Sequence, residues 1–285
     1  MAEQPDATKA FHHVLDAKSW EFFDQLFGGR GWDLPAIPVP WGYFYVTKFM
    51  LLELVAAGLI LLIYIPLARK AQNGDLPRGW HWNMFECLLT FVRNEIARPN
   101  LGGHHYPEEA DKYVPYLWTT FLFILFCNLL GMIPFAGSPT ASIYACLGLA
   151  VIAFVMLHGA AIVKVGPIKY VKSIWPHIDV PYVGWLFSGM IFVIEFIGTF
   201  IKSGVLAVRL FANMFAGHLV LAFLLLFIYQ VGMTNNWFLW GGVTIASVLG
   251  NAALSLLELF VAFLQAYVFT FLTAVFMGMS LHPEH

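Results

Sequence analysis

Apolar residues in this chain come in long blocks, not short alternations. Blocks at 43–67, 114–134 and 143–163 each match the helix length that ~30 Å of hydrocarbon requires at ~1.5 Å per residue, which predicts three ordinary transmembrane spans. Pro66, followed by Arg69 and Lys70, is expected to end the first span, and Ala136, Gly137, Ser138, Pro139 and Thr140 supply a turn between the other two. Between the first two spans the period changes. Trp82, Phe85, Leu89, Val92 and Ile96 recur at spacings of three and four, with Asn83, Glu86, Arg93, Asn94 and Glu95 on other faces. That predicts an amphipathic helix over 80–98, lying in the membrane interface or docking a partner on the aqueous side.

The last third departs from this rhythm. Apolar stretches at 185–230 and 237–280 would each run about 65 Å as a helix, roughly twice the ~30 Å core. Each is therefore two spans or one overlong, steeply tilted helix. Neither contains a proline, and isolated glycines are weak breakers that also permit close helix packing. The prediction is a hairpin of two long tilted helices turning at 231–236. The fold class expected is an all-α polytopic membrane protein with three ordinary spans, one interfacial helix and this C-terminal hairpin.

Composition agrees, since 60% hydrophobic and 11% charged residues with a mean hydropathy of +0.73 exceed what one soluble core can bury. A net charge of −2 gives no sign of nucleic-acid binding or a polybasic lipid anchor. Residues 1–42 carry Asp6, Asp16, Glu21, Asp24 and Asp33 and lack the compact apolar run of a signal peptide. They read as a polar surface arm closed by Pro35, Pro38 and Pro40, leaving 43–285 as the membrane domain. Lys and Arg crowd 67–112 and 164–172 but are absent from 135–142 and 231–236. The positive-inside rule then puts the basic connections and the C-terminus in the cytoplasm (or an organelle's equivalent) and the N-terminal arm outside. A bacterial plasma membrane is the expected location.

Polar residues inside the long hairpin are ordered. Glu195, Lys202 and Arg209 fall seven apart on one face of the first helix, as do Asn251, Glu258 and Gln265 on the second. His218 lies nine residues beyond Arg209, half a turn round the axis. Arg209 is the sharpest signal: a guanidinium keeps its proton, and holding one at mid-bilayer costs roughly 2.5–3.5 kcal/mol on insertion scales. Stripes of this kind face something polar. Cys87, Cys127 and Cys146 show no metal-ligand spacing and read as buried small hydrophobes. The cluster His104, His105, Glu108, Glu109 and Asp111 reads as a solvated loop, and His12, His13, His81, His158, His177, His282 and His285 lack haem-like pairing, so neither metal nor cofactor is expected. There is no Gly-x-x-x-x-Gly-Lys-Ser/Thr phosphate loop. The chain itself is expected to be non-catalytic.

The run from Glu195 through Lys202 and Arg209-Leu-Phe-Ala-Asn213-Met-Phe-Ala-Gly217-His218 closely resembles subunit a of the F-type ATP synthases. Asn128-Leu-Leu-Gly131-Met-Ile-Pro134 is similar to the same family's third-segment motif, and Glu258 with Gln265 to its last helix. The likeness spans roughly 43–280. It implies a stator subunit beside a rotating proteolipid ring, held by a peripheral stalk, that carries protons through two offset half-channels. By that resemblance Arg209 is the electrostatic gate facing the ring carboxyl, Glu195 serves the inner half-channel and His218 and Glu258 relay in the outer one. Asn213 and Gln265 would orient groups near Arg209, and Lys202 either shapes the inner path or snorkels to the interface. Some family members have Glu where this chain has His218 and His where it has Glu258, so the pair is exchanged. The rival reading is a self-contained ion channel or secondary transporter, which would carry internal inverted repeats; none is visible.

Overall fold

The computed structural model describes residues 45–72, 79–102, 107–133, 137–174, 184–233 and 236–281, together with four short strands between residues 19 and 45. Apart from those strands, the arm at 1–42 lies outside the described residues, as do His12, His13, His104, His105, His177 and the C-terminal 282–285. The strands qualify the all-α expectation: β1 (Ser19–Trp20) pairs antiparallel with β2 (Trp32–Asp33), and β3 (Ala36–Val39) with β4 (Gly42–Tyr45). Branched and aromatic residues such as Ile37, Val39, Tyr43 and Phe44 favour this, and proline is tolerated because every strand of a two-stranded ladder is an edge. The rest is helical.

Helix α1 (Lys48–Gln72) begins once the second ladder ends, and it runs through Pro66. This corrects the expectation that Pro66 stops it. Proline removes one donor, but a helix in an apolar medium has nowhere better to put its other backbone groups, and Arg69 and Lys70 complement the dipole in its last turn. Next come α2 (Trp80–Phe91), α3 (Pro107–Asp111), α4 (Val114–Gly131), α5 (Ile143–Val165), α6 (Pro167–Ile174), α7 (Gly184–Gly232) and α8 (Trp237–Leu281). Five of these, α1, α4, α5, α7 and α8, are long and apolar enough to cross a membrane. The two longest, of 49 and 45 residues, are each unbroken.

The helix expected over 80–98 changes character at Val92. From Val92 to Gly102 the backbone winds as a π-helix whose buried residues are Val92, Ile96, Ala97, Leu101 and Gly102. Their spacing of four, one, four and one suits an i→i+5 ladder better than an i→i+4 one. A short single turn (Pro139–Ala141) precedes α5. Gly166, at φ +90°, then turns the chain from α5 into α6, a conformation that L side chains rarely adopt. Helix α6 falls in the basic connection and was not foreseen.

The described residues group into two compact units, to each of which α1, α4, α5, α7 and α8 contribute one end. One comprises 1–66, 122–145 and 210–266; the other comprises 67–121, 146–209 and 267–285. The second gathers the basic connections. In it Arg93 and Arg98 both grip Asp111, Arg93 through Nε at 2.9 Å and Nη2 at 2.5 Å, Arg98 through Nε at 3.3 Å and Nη2 at 3.2 Å. Lys164 pairs with Glu109 at 2.5 Å, and His158 on α5 hydrogen-bonds the Tyr170 hydroxyl on α6. Glu109 and Asp111 of the expected solvated cluster therefore take part in an ion-pair network that ties the π-helical segment to α3 and α3 to α5.

Hydrogen bonds from Arg93 and then Arg98 hold the Asp111 carboxyl well below the usual carboxylate range. A depressed folded-state value contributes stability that is complete above the ordinary aspartate value of about 3.9 and is lost as pH falls through the folded value. Asp111→Asn should therefore melt below the wild type at neutral pH in lipid nanodiscs. The gap should shrink as the pH is lowered past about 3.9. A gap independent of pH would show that packing, not charge, is the cause.

Candidate functional site

Within the unit that contains 210–266, α7 and α8 run antiparallel, with Asn213 opposite Gln265 and His218 opposite Glu258. Packing brings them close. Leu210 and Met214 on α7 and Ala262 and Ala266 on α8 are fully buried, and the alanines leave room for a near approach. Seven-residue spacing on α8 then sets Asn251, Glu258 and Gln265 along one edge.

The two pairs differ in kind. Asn213 donates its side-chain amide to Gln265 Oε1 at 2.8 Å, and Gln265 is only 1% exposed. The polar groups they present to each other are matched. His218 Nδ1 lies 3.0 Å from Glu258 Oε1, with side chains 12% and 7% exposed. That approach is not aligned as a hydrogen bond. His218 Nε2, Glu258 Oε1 and Asn251 Oδ1 are all buried and lack a hydrogen-bond partner among the described residues. His218, Glu258 and Asn251 thus each carry bonding capacity that hydrocarbon cannot satisfy.

Gly217 is part of the arrangement. A Cβ there would meet Glu258 Oε1 at 2.8 Å, so the absence of a side chain is what admits the carboxyl against α7. Neither composition nor the seven-residue spacing singled out this glycine. Asn128 and Thr140 were also unassigned: Asn128 is fully buried and donates to the Ala262 carbonyl of α8 at 3.2 Å.

The remaining expected residues fall as follows. Arg209 is the last residue of the other unit, one helical turn before Asn213 on α7. It is exposed, and among the described residues it makes no hydrogen bond or ion pair. Asn213 and Gln265 bond each other and not Arg209. Lys202 sets its ammonium 5.8 Å from the centroid of the Phe276 ring on α8, a cation–π contact. Glu195 lies in α7, but its side chain is outside the described residues.

The model of the family described as ATP synthase A chain matches residues 50–278, which take in every one of these positions. The chain belongs to that family. It is 36% identical over 282 residues to ATP synthase subunit a of Anaeromyxobacter dehalogenans (strain 2CP-C), covering 95% of this chain and 69% of that one. It is 36% identical over 284 residues to ATP synthase subunit a 2 of Chlorobaculum tepidum, covering 98% and 74%. Against ATP synthase subunit a of Anaeromyxobacter sp. (strain Fw109-5) the identity is 40% over 240 residues, and the chain spans only about half, 53%, of that relative's length. With its five long apolar helices, this ATP synthase A-chain member is a multi-pass membrane protein.

In this A-chain member Gly217→Ala separates geometry from stability. Alanine is the better helix former by roughly 1 kcal/mol, so the helix itself should not weaken. The obstructing atom is the far end of a flexible carboxylate, which can swing aside. The variant should melt at or above the wild-type temperature while the ring-nitrogen resonances of labelled His218 shift. Unchanged resonances would show that Gly217 does not set the pair.

Proposed function

We propose that this chain is the stator subunit of a rotary F-type ATP synthase. It carries protons to and from the carboxyls of a rotating proteolipid ring through two offset half-channels, and so couples ion flow to ATP synthesis or hydrolysis. The observation that carries this reading is Arg209. A permanent charge is exposed on an unbroken apolar helix, with no counter-charge of its own among the described residues, in a member of the ATP synthase A-chain family. Its counter-charge then comes from another chain.

The exposed surface around Arg209 suits such a partner. Val205, Val208, Ala212 and Ala216 are exposed beside it at helical spacing, so a second helix can approach closely. Only 6% of the most apolar window of α7 is buried within the chain, against 56% for α4, so α7 is turned towards lipid or a neighbour. A ring carboxyl facing lipid is neutral because desolvation raises its pKa; beside Arg209 the fixed positive charge favours the carboxylate and drives off its proton. Arg209 does not carry that proton, since a guanidinium keeps its own. Its charge also repels protons that would otherwise pass directly between the two paths.

His218 and Glu258 form the outer relay, with Asn251 on the same edge of α8 as Glu258. Asn213 and Gln265 fix the edge of the helix pair next to Arg209. Glu195 and Lys202 belong to the inner path. The N-terminus lies outside and the C-terminus in the cytoplasm of a bacterial plasma membrane, and a peripheral stalk keeps the chain from turning with the ring. Each charge that crosses contributes about 2.3 kcal/mol per 100 mV, so several are needed for each ATP. A proteolipid ring and a nucleotide-binding head should co-purify with the chain, whereas a self-contained channel would purify alone.

Two substitutions test the mechanism in inverted membrane vesicles with a pH-sensitive dye. Arg209→Ala should abolish ATP-driven acidification, and Arg209→Lys should largely fail too, since an ammonium lacks the planar fork and loses its proton when desolvated. Normal pumping by Arg209→Ala would sink the gate.

The relay is tested by reversal. His218→Ala and Glu258→Ala should each slow acidification per assembled complex by at least about tenfold. The double change His218→Glu with Glu258→His keeps one acid and one base and should recover a substantial part. A reversal that assembles normally yet stays as inactive as the single changes removes the paired relay.

A further inference from the structure

A second buried polar chain adjoins the relay without containing a titratable group. The Thr140 hydroxyl donates to Asn128 Oδ1 at 2.7 Å, and Asn128 Nδ2 donates to the Ala262 carbonyl at 3.2 Å. Ser138 Oγ lies 2.7 Å from Thr140 Oγ1. A hydroxyl has a single proton, and that of Thr140 is committed to Asn128, so Ser138 is the donor in this last bond. The order is fixed: Ser138 to Thr140, Thr140 to Asn128, Asn128 to α8. All three are essentially fully buried.

The point of attachment is specific. Ala262 lies one turn after Glu258 and just under one turn before Gln265, on the edge of α8 that carries both. It also packs with Ala141 and Met214, so the turn at 139–141 rests against α7 and α8 between the two polar pairs. Gly131, at the end of α4, has no room for a Cβ because Ser138 occupies that space. Glycine there is what lets the turn fold back under Asn128.

We infer that Ser138, Thr140 and Asn128 are positioning residues that fix the rotation of α8 about its axis, and hence the approach of Glu258 to His218. The chain is not a proton path, because it ends on a backbone carbonyl that has no proton to pass on. A helix held by side-chain packing alone can turn by a small angle at little cost, whereas a directed bond to one carbonyl defines one angle. The inference rests on the reading of His218 and Glu258 as a relay.

The test uses the assembled complex with Cys87, Cys127 and Cys146 changed to Ala. Thr140→Val keeps shape and removes the hydroxyl; Thr140→Ser restores it. Rotation is read from disulfide formation between Leu224→Cys and Gly250→Cys, positions that already face each other, with Leu224 Cδ1 3.6 Å from where a Cβ on Gly250 would stand. Because α8 is continuous, a turn at Ala262 reaches Gly250.

Thr140→Val should change the disulfide rate severalfold. It should lower acidification per assembled complex on the order of tenfold and shift its pH profile, with Thr140→Ser near wild type on all three readouts. Wild-type disulfide rate and pH profile in Thr140→Val would overturn the inference, as would a loss confined to the amount assembled. Glu258→Gln runs in parallel. If it pumps normally the relay reading falls, and the disulfide rate, which needs no proton transfer, still decides the rotation.

Discussion

A polar side chain within hydrocarbon can be satisfied only by other protein groups or by what the protein admits, and the arrangement of α7 and α8 follows from that constraint. The unit containing 210–266 answers it in two ways. Asn213 with Gln265, and Ser138, Thr140 and Asn128 with the Ala262 carbonyl, close their hydrogen bonds among themselves. His218, Glu258 and Asn251 leave buried capacity open. The two kinds occupy successive stretches of the same pair of helices, Asn251 and Glu258 open and then Ala262 and Gln265 matched along α8. Arg209 is the extreme case, a charge with no internal answer among the described residues.

Much of this was legible in the sequence because hydrocarbon imposes long, simple patterns. Spans expected at 114–134 and 143–163 appear as Val114–Gly131 and Ile143–Val165, and the absence of proline at 185–230 and 237–280 foretold two unbroken helices. What escaped was local. The π-helical segment departs from the expectation at 80–98 because spacings of three and four describe an α-helix, while the buried Ile96 and Leu101 stand five apart on a wider turn. Pro66 failed to stop α1 because a rule drawn from helices in water overstates the alternatives open to a backbone in lipid. The ladders before α1 and the short helix α6 fall below the length at which periodicity speaks.

For the candidate site the division is similar. Seven-residue spacing put Glu258 and Gln265 on one edge, and the resemblance paired Glu258 with His218, whose atoms do approach. Spacing says nothing about contacts across distant segments. Asn128 bonds a residue 134 positions away, and the service of Gly217 is to have nothing where the Glu258 carboxyl sits. Such roles emerge only when two elements are set side by side.

The length of α8 has a consequence for geometry. For 45 apolar residues, ~68 Å of helix, to remain within ~30 Å of hydrocarbon, the axis must lean about 64° from the membrane normal. One heptad, ~10.5 Å along the axis, then changes depth by only about 5 Å while moving about 9 Å sideways. Asn251, Glu258 and Gln265 are in that case less a ladder across the membrane than a row lying nearly flat within it, and under the proposed function the separation of proton entry from exit runs mainly sideways in the membrane plane.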